Sequence, residues 1–192
     1  STTVDFSGTV HRGENPGATD LELRFNPLNY RMLEPVWGSA DRLADGIGIV
    51  EIDGRADDGM LIVADLTHVS DSANVSRVIG RGLLRRAEDG AWVTDMRGAV
   101  APLSLMMLNQ VFPSLELHGL VDGPVRINGR LDDLTLAADL AAGDGRLVLG
   151  GGINLLSPAT HYWLTAELEE LDFSAYSEVV PEPSVLNGRL SV

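Results

Sequence analysis

The segment VEIDGRADDGMLIVADL, residues 50–66, comes back as VRINGRLDDLTLAADL, residues 125–140. Gly48 matches Gly123, an offset of 123 − 48 = 75, and at that offset Val50, Ile52, Gly54 and Arg55 meet Val125, Ile127, Gly129 and Arg130. Asp57 and Asp58 meet Asp132 and Asp133; one inserted residue near Gly59 then reduces the offset to 74. Upstream, Pro27-Leu28 meets Pro102-Leu103, Met32-Leu33 meets Met107-Leu108, and Trp37 meets Phe112. A further start of the phrase is read in LNGRLSV, residues 186–192. The matched positions are mostly glycines and aliphatic residues, so backbone shape and burial are what recur. That is how a repeat array is built, each unit burying its apolar face with its neighbours' help.

Within a copy the apolar period is two. Val50 and Ile52 alternate with Glu51 and Asp53, and Val125 and Ile127 with Arg126 and Asn128. Met60, Ile62, Ala64 and Leu66 share one parity, as do Leu134, Leu136, Ala138 and Leu140. Leu21, Leu23 and Phe25 alternate, as do Leu147 and Leu149, and then Tyr162, Leu164, Ala166 and Leu168. Period two with one apolar side means strands, and the Gly, Asp and Asn clusters between them mean turns. An antiparallel meander follows. Two segments depart from the alternation: NPLNYRMLEPVW (26–37) and APLSLMMLNQVF (101–112). Each has Pro where a helix can open, and Leu103, Met107, Leu108 and Val111 fall on one helical side. Residues 172–176 read as a shorter version, and residues 76–86 also have helical character. The expected fold is all-β: a curved antiparallel sheet, or β-groove, in repeats of about 75 residues with one short helix each. The chain divides as a single array, with a partial repeat over 1–26, repeats over 27–101 and 102–171, and a partial repeat over 172–192. Opening and closing inside patterned sequence, it reads as a piece of something longer.

Composition narrows the function. Of 192 residues 44% are hydrophobic, but only 5% are aromatic. The formal net charge is −14, and all 14 basic residues are Arg. Such a chain repels phosphate backbones, so no nucleic-acid partner is expected. The absence of cysteine excludes disulfides, thiolate metal sites and a Cys nucleophile. No apolar run reaches the roughly 18 residues of a membrane-spanning helix.

No constellation for catalysis or cofactor binding emerges, and no enzyme, metal or cofactor is expected. The Asp57-Asp58 and Asp132-Asp133 pairs have the chemistry for acid–base work or calcium, but a catalytic pair is normally unique. Turn-forming Asp, bonding to nearby backbone, accounts for its appearance in both copies. His11, His68, His118 and His161 lack zinc spacing. His68 beside Ser70 and Asp71 has no G-x-S-x-G elbow. Gly150-Gly151-Gly152 fits no phosphate-loop pattern and reads as a bend in a strand. Arg77, Arg81, Arg85 and Arg86 form the one basic concentration, either a solvated face or a place for a phosphate or acidic partner.

The cadence Gly-x-Val-x-Ile-x-Gly-x-Leu-x-x-Leu-x-Leu over residues 123–136, the apolar strand 162–168, Leu-Asp-Phe-Ser at 171–174 and Leu-Asn-Gly-Arg-Leu at 186–190 resemble the TamB/AsmA-like proteins of Gram-negative envelopes. The resemblance is good over 119–192, fair over 27–66 and weak over 67–90. It implies a middle portion of a periplasmic protein anchored in the inner membrane, whose β-groove carries phospholipid between membranes. For one branch it implies assistance to outer-membrane β-barrel assembly. The implied partners are phospholipid acyl chains, flanking repeats of the same parent chain and barrel-assembly proteins.

Aliphatic side chains on one face of a bent sheet suit an acyl chain. Each buried methylene contributes about 0.8 kcal/mol, so roughly ten supply about 8 kcal/mol before ordering costs. The expected lining is Val50, Ile52, Ile62, Leu66, Val125, Ile127, Leu136, Leu140, Leu147 and Leu164. The competing expectations are a closed, dry sandwich core, and a scaffold that offers a sheet edge to another strand.

Overall fold

The computed structural model describes residues 3–28, 46–71, 74–106, 114, 116–156, 162–180 and 182–191. Eleven antiparallel strands form one sheet in strict sequence order. They are β1 (Val4–His11), β2 (Gly17–Leu28), β3 (Gly46–Arg55), β4 (Gly59–Asp71), β5 (Asn74–Arg86), β6 (Trp92–Ser104), β7 (Leu120–Arg130), β8 (Asp133–Ala142), β9 (Gly145–Ile153), β10 (Tyr162–Leu171) and β11 (Leu186–Ser191). The sheet is curved and does not close, because β1 and β11 stand at opposite edges. Every alternating segment read from the sequence is a strand. Among the described residues the extensive strand-to-strand packing is between ladder neighbours, so no second sheet covers either face.

Among the described residues helix is nearly absent, and two helical expectations are corrected. Residues 76–86 belong to β5, where Val78 faces Val100 and Leu84 faces Thr94 in the ladder with β6. Pro27 and Pro102 do not open helices but lie in β2 and β6, inside the register shifts between Phe25 and Leu28 and between Val100 and Leu103. Two effects account for this. A residue before Pro is steered to extended backbone. A bulge also leaves the missing N–H of Pro without a ladder role. Leu105 and Met106 make a tight turn, while 29–37 and 107–112 lie outside the described residues. The third expected segment contains a 3-10 turn over Phe173–Ala175.

Three of the register shifts lie opposite the start of the partner strand. Phe25 and Leu28 face Gly48 and Gly46; Val100 and Leu103 face Gly123 and Val121; Leu168 and Leu171 face Gly188 and Leu186. Each places three residues against two. This revises the reading of LNGRLSV. Gly188 stands where Gly48 and Gly123 stand, at a strand start, and not where Gly54 and Gly129 end β3 and β7.

The paired acids lie at or beside turns, and the first of each pair, Asp57 and Asp132, takes an arginine donor. The Arg86 Nε donates to Asp57 at 3.0 Å, and the Arg130 Nε donates to Asp132 at 3.1 Å. The Asp57 backbone N–H donates to Asn15 Oδ1 at 3.0 Å, tying the β1–β2 connection to the β3–β4 turn.

Candidate functional site

The alternation puts one residue in two on a common face, and the register aligns those residues across the whole sheet. One row runs Phe6, Leu23, Val50, Ala64, Gly80, Gly98, Val125, Ala138, Leu149, Ala166 and Leu190. A second runs Leu21, Ile52, Ile62, Gly82, Met96, Ile127, Leu136, Gly151 and Leu164. No charged residue interrupts either. With strands about 4.8 Å apart, ten steps of the first row extend roughly 48 Å. Gly80 and Gly98 leave the middle of the first row without side chains, and Gly82 thins the second.

All ten residues expected to line an apolar groove occupy this face by register. Val50, Ile52, Ile62, Leu66, Val125, Ile127, Leu136 and Leu147 are half-buried. Leu164 pairs with Gly151, but its side chain lies outside the described residues. Leu140 corrects the expectation. It is 4% exposed, inside a cluster with Val100, Val121, Ala138, Ala142, Leu171 and Tyr176. Sequence reasoning missed Val78, Leu84, Met96 and Val100 on the same face. The signal was present, since Val78, Gly80, Gly82 and Leu84 alternate with Arg77, Arg81 and Arg85, but that stretch was read as helical.

The cover over Leu140 comes from the connection between β10 and β11. Phe173 and Tyr176 pack on the cluster. The Asp172 Oδ1 holds the segment by accepting the Ser174 N–H at 3.1 Å, the Ser174 hydroxyl at 2.7 Å and the Ser184 N–H at 3.0 Å. These bonds, with that from Ser184 the strongest, hold its carboxyl below the usual carboxylate range. A second connection clasps the first. The His118 N–H donates to the Tyr176 carbonyl at 2.9 Å, and Leu117 bridges Ser177. Burial, then the Asp144 and Asp172 charges, push the Tyr176 phenol up. The apolar face is therefore covered along one rim of β7–β10; further along the same face Leu21, His68 and Ser76 are buried, while Val50, Ile52, Ile62 and Leu66 stay half-buried.

The opposite face carries ion pairs set among exposed apolar residues, Ile47, Ile49, Leu61, Ile79 and Leu83. Arg24 pairs with Glu22 at 2.6 Å, Arg77 with Asp65 at 2.5 Å, and Arg146 with Asp139 at 2.6 Å and Glu169 at 3.0 Å. The arginine partners hold the Glu22, Asp65 and Asp139 carboxyls below their ordinary values. Exposed pairs of this kind add little stability. The three consecutive glycines lie within β9, and a Cβ on Gly152 would come 2.3 Å from the Trp163 Nε1. Gly152 thus makes room for a cross-strand indole, a role the sequence reading did not include.

Among the described residues no group of three or more His, Asp or Glu is arranged to hold a metal ion. His11 Nε2 lies 2.9 Å from the Thr19 hydroxyl, His68 is buried beside Ser76 in the β4–β5 ladder, and His161 lies outside the described residues. No helix among those residues is long and apolar enough to cross a membrane. Comparisons with protein-family models, with curated proteins and with solved structures find no match to this chain.

Proposed function

We propose that this chain is a segment of a periplasmic, bridge-like lipid conduit, part of an inner-membrane-anchored envelope protein of the TamB/AsmA-like kind, and that its apolar face holds phospholipid acyl chains. The observation that carries the reading is the unbroken apolar row from Phe6 to Leu190, with no second sheet over it among the described residues. A globular domain buries such a face, because each exposed aliphatic group costs free energy in water. A hydrocarbon guest lying across the strands covers the row without a specific partner at each position. The glycines at 80, 98 and 82 give it a low floor. Flanking repeats continue the trough, each adding four strands with a bulge opposite glycine, as at Gly48, Gly123 and Gly188. Phe173 and Tyr176 narrow the trough at one rim rather than filling its length.

Native mass spectrometry with organic extraction of the purified protein tests the proposal. Phospholipid bound to the wild-type chain is the expected result. A bare chain, with no phosphate-containing lipid in the extract, overturns it.

One observation favours a second reading. β1 and β11 each have a neighbour on one side only. The free edges suit β-augmentation of an outer-membrane barrel strand. A photocrosslinker at Thr9 on the β1 edge, compared with one at Ile62 on the apolar face, separates the two. Lipid adducts from Ile62 support the conduit; protein adducts confined to Thr9 support the scaffold.

A further inference from the structure

Five of the twelve described arginines have a close carboxylate. Arg24, Arg77, Arg86, Arg130 and Arg146 each lie within 3.1 Å of at least one. Three of the others stand side by side. Arg81 faces Arg97 across β5–β6, and Arg97 faces Arg126 across β6–β7. All three are exposed. Arg81 and Arg126 have no ion pair or side-chain hydrogen bond among the described residues, and Arg97 reaches Asp95 only at 3.9 Å. Directly opposed residues on antiparallel strands have Cβ atoms roughly 5 Å apart, and like charges so placed oppose folding. In a chain of net charge −14, a row of three uncompensated cations is a local conflict. Such conflicts concentrate at functional sites.

The geometry points to a binding site for a phosphate-type oxyanion, made by Arg81, Arg97 and Arg126 on the outer face of β5–β7. A carboxylate is satisfied by one guanidinium fork, as Asp65 is by Arg77 and Asp139 by Arg146. Three forks in a row call for a ligand with more acceptor oxygens, and a phosphate has them. Beside Arg81 and Arg97 lies a depression of about 360 Å³ that also takes in Val63, Ile79 and Ala99, with Asp65, itself paired to Arg77, at its edge. The ligand is thus a phosphate ester with an apolar substituent. The site is on the opposite face from the apolar row, so it stands or falls independently of lipid in the trough.

The test compares thermal midpoints of wild type, Arg97→Gln and Arg85→Gln with inorganic phosphate or with sodium chloride at matched ionic strength. Phosphate raises the midpoint of the wild type and of Arg85→Gln, whose arginine lies outside the row, and the shift is lost in Arg97→Gln. Without phosphate, Arg97→Gln melts at or above the wild type, because like-charge repulsion is relieved. A second arm co-sediments the proteins with phosphatidylcholine vesicles, with and without phosphatidylglycerol. Arg97-dependent binding to the anionic vesicles assigns a lipid headgroup, and a phosphate shift without vesicle binding assigns a soluble ester. An unchanged phosphate shift in Arg97→Gln overturns the site. So does a lower phosphate-free midpoint for that variant, or a wild type that answers neither phosphate nor vesicles. A larger shift with polyglutamate at matched charge overturns the choice of phosphate.

Discussion

The Ser184 backbone N–H donates to the Asp172 Oδ1 at 3.0 Å, so one carboxylate spans the segment that lays Phe173 and Tyr176 on the apolar face. Because hydrogen bonds to its charged form depress the Asp172 pKa, the bonds contribute fully above the unfolded carboxylate value. Their contribution fades as pH falls through the lower, folded value. Protection factors over residues 173–178, taken relative to the intrinsic exchange rate at each pH, should therefore fall on acidification before those of the β4–β5 ladder do. Asp172→Ala should show the lowered protection already at neutral pH. Equal protection in the variant and the wild type at neutral pH would count against this role.

Leu140 and Ile62 are both apolar-face residues, but only Leu140 is covered. Leu140→Ala leaves a cavity and should cost about 2–4 kcal/mol in denaturant unfolding. Ile62→Ala removes a side chain already half in water and should cost about half of that. Similar losses at the two sites would mean that the face over β3–β5 is closed in solution.

Gly119 has φ +86°, and a Cβ there would approach the Tyr176 Cδ1 to 2.9 Å. Gly119→Ala should destabilise the fold by about 1–3 kcal/mol through backbone strain and displacement of the ring. Near-ultraviolet circular dichroism should show Tyr176 losing its fixed environment. Tyr176→Leu in the same background should restore part of the lost stability.

Ile127 and Asn128 are neighbours on opposite faces. Ile127→Asp sets a carboxylate in the apolar row, where it is surrounded by hydrocarbon. Asn128→Asp adds the same charge on the exposed side. Lipid retention, measured by extraction, should fall several-fold in the first and stay unchanged in the second. Equal retention in both would argue against acyl chains on this face.

Alternation and turn chemistry are local, and they made the strands legible. Val50, Ile52, Ile62 and Leu66 announce an apolar side whatever lies beside them, and Asp57 or Asp132 after Gly-Arg announces a turn. Single-sheet, all-β architecture and the common face of the ten residues expected to line a groove followed from that periodicity. Cross-strand register is not local, and register decided the rest. It placed Pro27 and Pro102 in bulges where helix starts were expected, and set Gly188 level with Gly123 instead of Gly129. It drew Tyr176 over Leu140, and stacked Arg81, Arg97 and Arg126 side by side although long stretches of chain separate them. A sequence records which face a side chain takes along its own strand; only the assembled ladder fixes which side chains become its neighbours.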